Sequence, residues 1–299
     1  MTQDLSLTFN QVLDIETPPR TQIWGPAIMQ GNLVIAYAPT GVGKSLWAWS
    51  LGYAAAVGGK FLNHVCPHAY KVLLIEGELG AVTTKKRLQM IQAASPYSVR
   101  GDHFRVLTKD QTGGTLWNMS EPEMQRRYNA QIGDADLIII DNLMVAAAPL
   151  NRHDDEIAMW NRLAPWLFML RDSGRTVIMV AHTNKTGVFA GVQTKMNLMD
   201  TVIELRPPET LRPIPGTEFE IHYRKTRDTK KTDALPLHVE YCEGEDGVSR
   251  WTWRPLEDSQ QKMIQQMKGE GLTRREVAKQ LGLSYREVQY AWDKWEVAA

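Results

Sequence analysis

The residues Ala38-Pro39-Thr40-Gly41-Val42-Gly43-Lys44-Ser45 combine the groups needed to hold a chain of phosphates. Gly41 and Gly43 let the backbone turn tightly, so that successive N–H groups point inward at an anion. A helix starting here would aim the positive end of its dipole at the same place. Lys44 would reach the β- and γ-phosphates of a nucleoside triphosphate, and the Ser45 hydroxyl would hold Mg²⁺. The binding segment is read as Pro39, Thr40, Gly41, Val42, Gly43, Lys44, Ser45 and Leu46, with ATP and Mg²⁺ as the ligands. Ala38 stands where such loops usually have their first glycine, a small departure at a strand exit.

Three further polar positions fall at the ends of apolar runs. Lys71–Ile75 reads as a buried strand and leads into Glu76-Gly77-Glu78. In open α/β sheets ligands bind at the carboxyl ends of strands, so one of these acids is placed to orient or deprotonate an attacking water. Glu78 is preferred, because Glu76 follows the last apolar residue directly and can still belong to the sheet. Asp136–Asp141 is an apolar strand ending in an acid, which delivers Asp141 to the metal beside Ser45. Thr176–Ala181 is a third such run and is followed by His182, a residue able to touch a terminal phosphate and report its loss.

These groups need elements to carry them. Leu33–Tyr37 is a strand before the loop, and Leu46–Ala56 a helix after it. Helices are expected over 81–94, with Leu88 and Ile91 inward, over 121–132, and over a long stretch beyond 155 with a kink at Pro165. Phe104–Leu107 is a further strand, and 109–120 and 145–155 read as loops, the latter carrying Asn151 and Arg152. Beyond Thr201 the pattern changes to strands at 201–205, 219–223, 237–241 and 250–253. Alternation in Phe219-Glu220-Ile221-His222-Tyr223 predicts a more exposed antiparallel extension, which carries Arg224-Lys225-Thr226-Arg227. The fold class is therefore α/β, a mainly parallel sheet with an antiparallel extension and a small all-α C-terminal unit. Domain bounds are placed at 1–20 for an arm, 21–255 for the nucleotide-binding domain and 259–299 for the tail. The proline-broken first thirty residues read as an arm able to pack on a neighbouring subunit, with Trp24 in a packing role.

The tail contains Ser259–Lys268, with Met263, Ile264 and Met267 on one side. A capping box, Thr273-Arg274-Arg275-Glu276, opens a second helix that Gly282 ends, and Ser284 caps a third. This helix-turn-helix-like pattern would present Tyr285, Arg286, Gln289 and Tyr290 to a major groove. Residues 259–299 hold seven Lys or Arg against five Asp or Glu, so duplex DNA and a protein partner both remain open.

Composition narrows the classes. The 299 residues carry no formal net charge, so nucleic-acid contact must come from local patches. Two cysteines, Cys66 and Cys242, exclude a disulfide scaffold and a four-cysteine zinc module. His64, Cys66 and His68 read as ordinary loop residues rather than a metal set. No apolar run reaches the length of a membrane span, and the polar start has no signal-peptide core; a cytoplasmic protein without membrane contact is expected.

Gly41-Val42-Gly43-Lys44-Ser45, Glu78, Asp141 and His182, in that order, resemble the RecA-like ATPases, and most of all the hexameric replicative helicases of the DnaB and plasmid RepA type. The resemblance covers roughly residues 20–245. Gly191–Lys195, Leu198–Ile203 and Lys225-Thr226-Arg227 are similar to segments of RepA-like proteins of plasmids, phages and integrative elements. The resemblance implies a ring-forming, DNA-dependent ATPase, a hexamer, that couples hydrolysis to translocation on single-stranded DNA. It gives Lys225 and Arg227 the role of fingers reaching a neighbouring subunit's γ-phosphate, although Lys195 replaces a frequent arginine and leaves the choice of finger open. It also implies that the loops 145–155 and 184–196, with Lys185 and Lys195, line a channel that grips single-stranded DNA. No primase-like or collar-like unit stands in the first residues, which keeps a second reading open. In that reading nucleotide switches the assembly of a regulatory RecA-fold ATPase and the tail reads DNA; a recombinase-like filament is a third.

Overall fold

The computed structural model describes residues 6–16, 20–147, 156–183, 196–208, 215–229 and 234–294. Lys185 and Lys195, Asn151 and Arg152, and Trp295 lie outside them.

Thirteen strands run among these residues. In chain order they are β1 (Gln22–Trp24), β2 (Ile28–Met29), β3 (Leu33–Ala38), β4 (Lys60–Phe61), β5 (His64–Val65), β6 (Val72–Glu76), β7 (Phe104–Thr108), β8 (Leu137–Asp141), β9 (Thr176–His182), β10 (Thr201–Arg206), β11 (Gly216–Thr226), β12 (Leu237–Glu243) and β13 (Ser249–Pro255). Nine of them form one sheet in the order β13-β12-β11-β10-β3-β9-β8-β6-β7. From β10 to β7 all neighbours are parallel. β11, β12 and β13 extend the β10 edge in antiparallel fashion. The fold is thus a mainly parallel α/β sheet with an antiparallel extension.

Side-chain alternation along β3 shows why its run is apolar throughout. Val34, Ala36 and Ala38 enter one core with Trp47, Ala48, Trp49 and Leu51 of the helix Lys44–Val57. Leu33, Ile35 and Tyr37 enter a second core with Trp160, Leu163, Leu167 and Leu170 of the helix Glu156–Asp172. A strand buried on both faces has no polar side to display. The helix Glu156–Asp172 continues through Pro165.

Several local features differ from the sequence reading. The strand after the first helix extends through Glu76, which is buried. The segment read as a loop from 109 contains a 3₁₀ turn, Lys109–Thr112, and the one read from 145 is entered by a short helix, Leu143–Ala146, capped by the Asn142 side chain on the Val145 N–H. The hairpins β1–β2 and β4–β5 were not legible as strands, being two or three residues long. Within the arm, Phe9–Leu13 is a helix with a Thr8–Gln11 capping box. Trp24 is fully buried, donates its indole N–H to the Phe61 carbonyl at 2.8 Å and meets Trp47 edge-on, which is a packing role.

The first tail helix begins directly after β13 and spans Leu256–Gly269; Arg274–Leu281 and Tyr285–Lys294 follow. Ile264, Val277, Ala278 and Val288 form their common core. Met263 points outward, at 48% exposure, so the apolar side expected of it is carried by Ile264 and Met267 instead. Trp292 is flanked by the Lys268 ammonium at 5.2 Å and the Arg274 guanidinium at 5.6 Å. Among the described residues no helix is long and apolar enough to cross a membrane.

Candidate functional site

The parallel strands bring their carboxyl ends to one edge. Ala38 pairs with His182 across β3 and β9, and Asp141 with Glu76 across β8 and β6. The turn from β3 into the helix Lys44–Val57 passes through Gly41 (φ 86°) and Gly43 (φ 109°), conformations in which a side chain is strained. Gly43 is also closely approached: a Cβ there would meet the Thr217 hydroxyl at 3.1 Å and the Phe219 ring at 3.2 Å. A Cβ at Gly41 would meet nothing within 4 Å among the described residues, so the loop is open there on its outer side.

A cleft of about 430 Å³ adjoins this loop, lined by Thr40, Gly41, Gly43, Lys44, Ser45, Leu46, Glu76, Glu78, Leu79, Arg87, Met90, His182 and Thr217. Lys44 donates from Nζ to the Ala38 carbonyl at 2.8 Å and to the Pro39 carbonyl at 2.7 Å. Burial pulls its pKa down to about 8, against the opposing pull of Asp141 and Glu78. A buried ammonium held by two backbone carbonyls is well placed for a phosphate to enter beside it.

Asp141 lies behind the loop, 4% exposed. Its Oδ2 accepts the Trp49 indole N–H at 2.8 Å, and Ser45 also hydrogen-bonds to it. Burial pushes its pKa up to about 6, with those two hydrogen bonds opposing and Glu76 and Glu78 adding to the rise. A buried carboxylate held next to a serine hydroxyl is a donor set suited to Mg²⁺.

The two acids after β6 have different surroundings. Glu76 accepts the backbone N–H groups of Glu78 at 2.7 Å, Leu79 at 2.6 Å and Gly80 at 3.2 Å. It therefore closes the start of the helix Gly80–Ala93. Glu78 is half exposed and faces the cleft; its Oε1 accepts the Asn142 side-chain amide and lies 3.5 Å from His182 Nε2. His182 in turn places Nδ1 3.4 Å from the Thr40 hydroxyl. Burial and then the Lys44 charge lower the His182 pKa, with Glu78 opposing, so the imidazole is held neutral. Glu78, His182 and Thr40 thus make a chain from the candidate base to the phosphate loop.

Lys44, Ser45, Glu78, Asp141 and His182 share one edge of the sheet; Lys225 and Arg227 are not with them. β11 runs antiparallel to β10, so its start lies at the phosphate edge and its end at the opposite one. Asp200 accepts the Arg227 N–H on its carbonyl and donates its own N–H to the Leu33 carbonyl, which sets Arg227 level with the start of β3. Five residues of strand separate that level from Ala38, roughly 16 Å at 3.3 Å per residue. Arg227 pairs with Asp200 at 3.2 Å, and Lys225 donates to the carbonyls of Met196 and Asn197 at 3.0 and 2.9 Å.

Four residues at the site escaped the sequence reading. Trp49 stands four positions after Ser45, hence on the same helical face, a spacing that could have flagged it. Asn142 directly follows Asp141. Arg87 reaches the cleft from Gly80–Ala93, with its guanidinium 5.6 Å from the Trp49 ring. Thr217 donates its hydroxyl to the Val42 carbonyl at 2.9 Å, a contact that depends on β11 register and has no local signal. His64 and Cys66, by contrast, are buried apart from the cleft; His64 packs on Trp24 and Tyr223, and burial takes its pKa down to about 4.

Residues 2–188 match the model of a family described as AAA domain. Among solved structures, the flagellar accessory protein FlaH from Methanocaldococcus jannaschii is similar, at 12% identity and a TM-score of 0.51, over 77% of this chain and 93% of that one. The KaiC-like protein PH0186 from the hyperthermophilic archaeon Pyrococcus horikoshii OT3 is similar at 14% identity and a TM-score of 0.52, over 79% of this chain and 99% of that one. No curated protein matches the sequence. At these identities the likeness is one of fold, that of a RecA-like P-loop ATPase.

Proposed function

Because the chain belongs to the AAA domain family, we propose that it is a ring-forming ATPase that couples hydrolysis to translocation on single-stranded DNA, a helicase of the RepA-like kind serving a mobile element. Bound Mg²⁺ would supply charge neutralisation at the phosphates. Ser45 and Asp141 would hold it, Lys44 would bind the terminal phosphates, Glu78 would orient the attacking water and accept its proton, and His182 links that acid to Thr40.

The observation that carries the oligomeric part is the separation of the basic pair from the cleft. Lys225 and Arg227 stand at the far edge of the sheet from their own Lys44, so their chemistry suits a neighbouring protomer's nucleotide. An arginine contributed from outside the site is worth about 10³–10⁵ in turnover in well-studied phosphoryl-transfer systems. The DNA-gripping segments, 145–155 and 184–196 with Lys185 and Lys195, lie almost wholly outside the described residues and enter this reading through the resemblance alone.

A second reading, a regulatory ATPase whose tail reads duplex DNA, is favoured by one feature. Tyr285, Arg286, Gln289 and Tyr290 are all exposed on the last tail helix, while Val288 between them is buried. Strand displacement on forked DNA with ATP, paired with the mass of the nucleotide-bound oligomer, separates the two. A ring that unwinds supports the first; a nucleotide-dependent oligomer that binds duplex without unwinding supports the second.

A further inference from the structure

The backbone that delivers Glu78 is fixed on both sides. Its N–H donates to the Glu76 carboxylate at 2.7 Å, and its carbonyl accepts the Lys109 ammonium at 2.7 Å. The preceding Gly77 donates its N–H to the Asp141 carbonyl at 2.9 Å. A Cβ at Gly77 would fall 2.8 Å from Val145 Cγ1 and 2.7 Å from Leu116 Cδ1. The short helix Leu143–Ala146 therefore packs directly on the backbone between the two acids. What a fixed backbone does not settle is the direction of the carboxylate, because a glutamate side chain turns about several bonds.

Asn142 supplies that direction. Its Nδ2 donates to Glu78 Oε1, and its Oδ1 accepts the Val145 N–H at 3.1 Å. The second bond fixes the first. A backbone N–H can only donate, so the amide oxygen faces Val145 and the NH₂ faces Glu78. Asn142 is 1% exposed and stands outside the lining of the cleft, whereas Glu78 is part of it. His182 Nε2 lies 3.5 Å from the same Oε1. Both contacts thus fall on one oxygen, and among the described residues Oε2 has no hydrogen-bond partner. A carboxylate anchored by one oxygen with the other open, on the wall of the cleft, is arranged to orient a water molecule.

We propose that Asn142 is the positioning residue of Glu78: its side-chain amide sets the direction of the carboxylate, and the helix Leu143–Ala146 sets the amide. The inference rests on the reading of Glu78 as the group that activates water. Aspartate and serine cap a helix about as well as asparagine does. Only the amide has a donor on a different atom from the capping oxygen, free to turn toward an acid. Glu78, Asn142 and the capped helix form one connected unit, tied further by the Met119 N–H on the Ala146 carbonyl at 2.8 Å.

The test uses the full chain at one fixed pH and reads steady-state turnover, ATP binding and the thermal midpoint. Asn142→Ser keeps a capping oxygen and loses the amide donor. Its kcat should fall on the order of 100-fold, the cost of a group misplaced by about 1 Å. ATP affinity, set by Lys44 and the phosphate loop, and the midpoint should stay near the parental values. Asn142→Asp keeps the cap but sets a second carboxylate against Glu78, so kcat and midpoint should both fall. In the double variant Glu78→Gln/Asn142→Asp the amide and the carboxylate change places and the hydrogen bond is restored. Its midpoint should rise above that of Asn142→Asp while turnover stays lost, a recovery that a merely structural role of Asn142 would not give. The exchange also decides the question if Asn142→Ser does not fold. Parental kcat in Asn142→Ser, or no recovery of the midpoint in the exchange, would overturn the positioning role. Glu78→Gln alone tells the two failures apart: slow beside a parental Asn142→Ser, it leaves the reading of Glu78 standing, and at the parental rate it removes that reading and the positioning role with it.

Discussion

Glu76→Gln and Glu78→Gln should separate stability from chemistry. Glu76 is 1% exposed and its two oxygens accept three backbone N–H groups, those of Glu78, Leu79 and Gly80. Glutamine offers one acceptor oxygen in place of two and turns an NH₂ toward at least one of those donors. One buried N–H then loses its partner, and the others lose a charged acceptor. Hydrogen bonds to charged groups contribute about 1.5–3 kcal/mol each, and an unsatisfied buried donor costs about 1–3 kcal/mol. A loss of about 2–4 kcal/mol is expected for Glu76→Gln, which for a chain of this size lowers the thermal midpoint by about 3–6 °C. Glu78, half exposed and facing the cleft, should melt within a degree or two of the parent as Gln while hydrolysis falls by orders of magnitude and ATP stays bound. Differential scanning fluorimetry, with phosphate release measured below both midpoints, reads the two effects independently. The assignment fails if Glu76→Gln melts with the parent yet loses turnover, or if Glu78→Gln hydrolyses at the parental rate.

Other outcomes can be checked with the same protein. The folded-state pKa of Asp141, near 6, is above its unfolded value, so the free protein binds the extra proton and loses stability as pH rises from about 4 to about 6. Mg²⁺ needs the ionised form, and Mg²⁺-dependent nucleotide affinity should therefore fall as pH is lowered through about 6, by equilibrium binding. Lys44 has the opposite window: its ammonium is titrated near pH 8 in the free protein, and nucleotide affinity should decline above that pH. Trp49→Phe removes the indole donor to Asp141 and should raise the Mg²⁺ concentration needed for half-maximal turnover several-fold with the fold retained, as seen by circular dichroism. Arg227→Ala should bind ATP yet turn over about 10³-fold more slowly, and mixing it with Lys44→Ala protein should restore activity; proven co-assembly without rescue would refute a finger supplied in trans.

The phosphate loop, Asp141, Glu78 and His182 were legible because each sits at the end of an apolar strand, where a short window holds both the element and the group it delivers. The distinction between Glu76 and Glu78 was only half legible. Position on the strand pointed to Glu78, but the three N–H groups that occupy Glu76 arise from the chain folding back into a helix. Contacts across long separations left no trace in any window. Trp49 and Asp141 are 92 positions apart, and Thr217 and Val42 175 apart. Both follow from which strands become neighbours. The contacts of His238 with Glu218 and Glu240 need in addition the exact pairing of β11 with β12, since a shift of one residue would send Glu218 to the buried face.

The register of β10 and β11 also sets where Arg227 rests. In the free chain its guanidinium meets Asp200 at 3.2 Å and the Asn197 carbonyl at 2.9 Å, with 47% of the side chain exposed. A pair that open to water contributes about 1 kcal/mol or less. Asp200 does not depend on it, because its Oδ2 also accepts the Leu33 N–H at 2.9 Å. Releasing Arg227 would therefore cost little and leave the start of β3 in place. A γ-phosphate presented by a neighbour, doubly charged and able to take a bidentate contact, is the stronger acceptor. In the proposed ring the Asp200 pair would be the rest position of the guanidinium, from which a nucleotide-loaded neighbour would draw it.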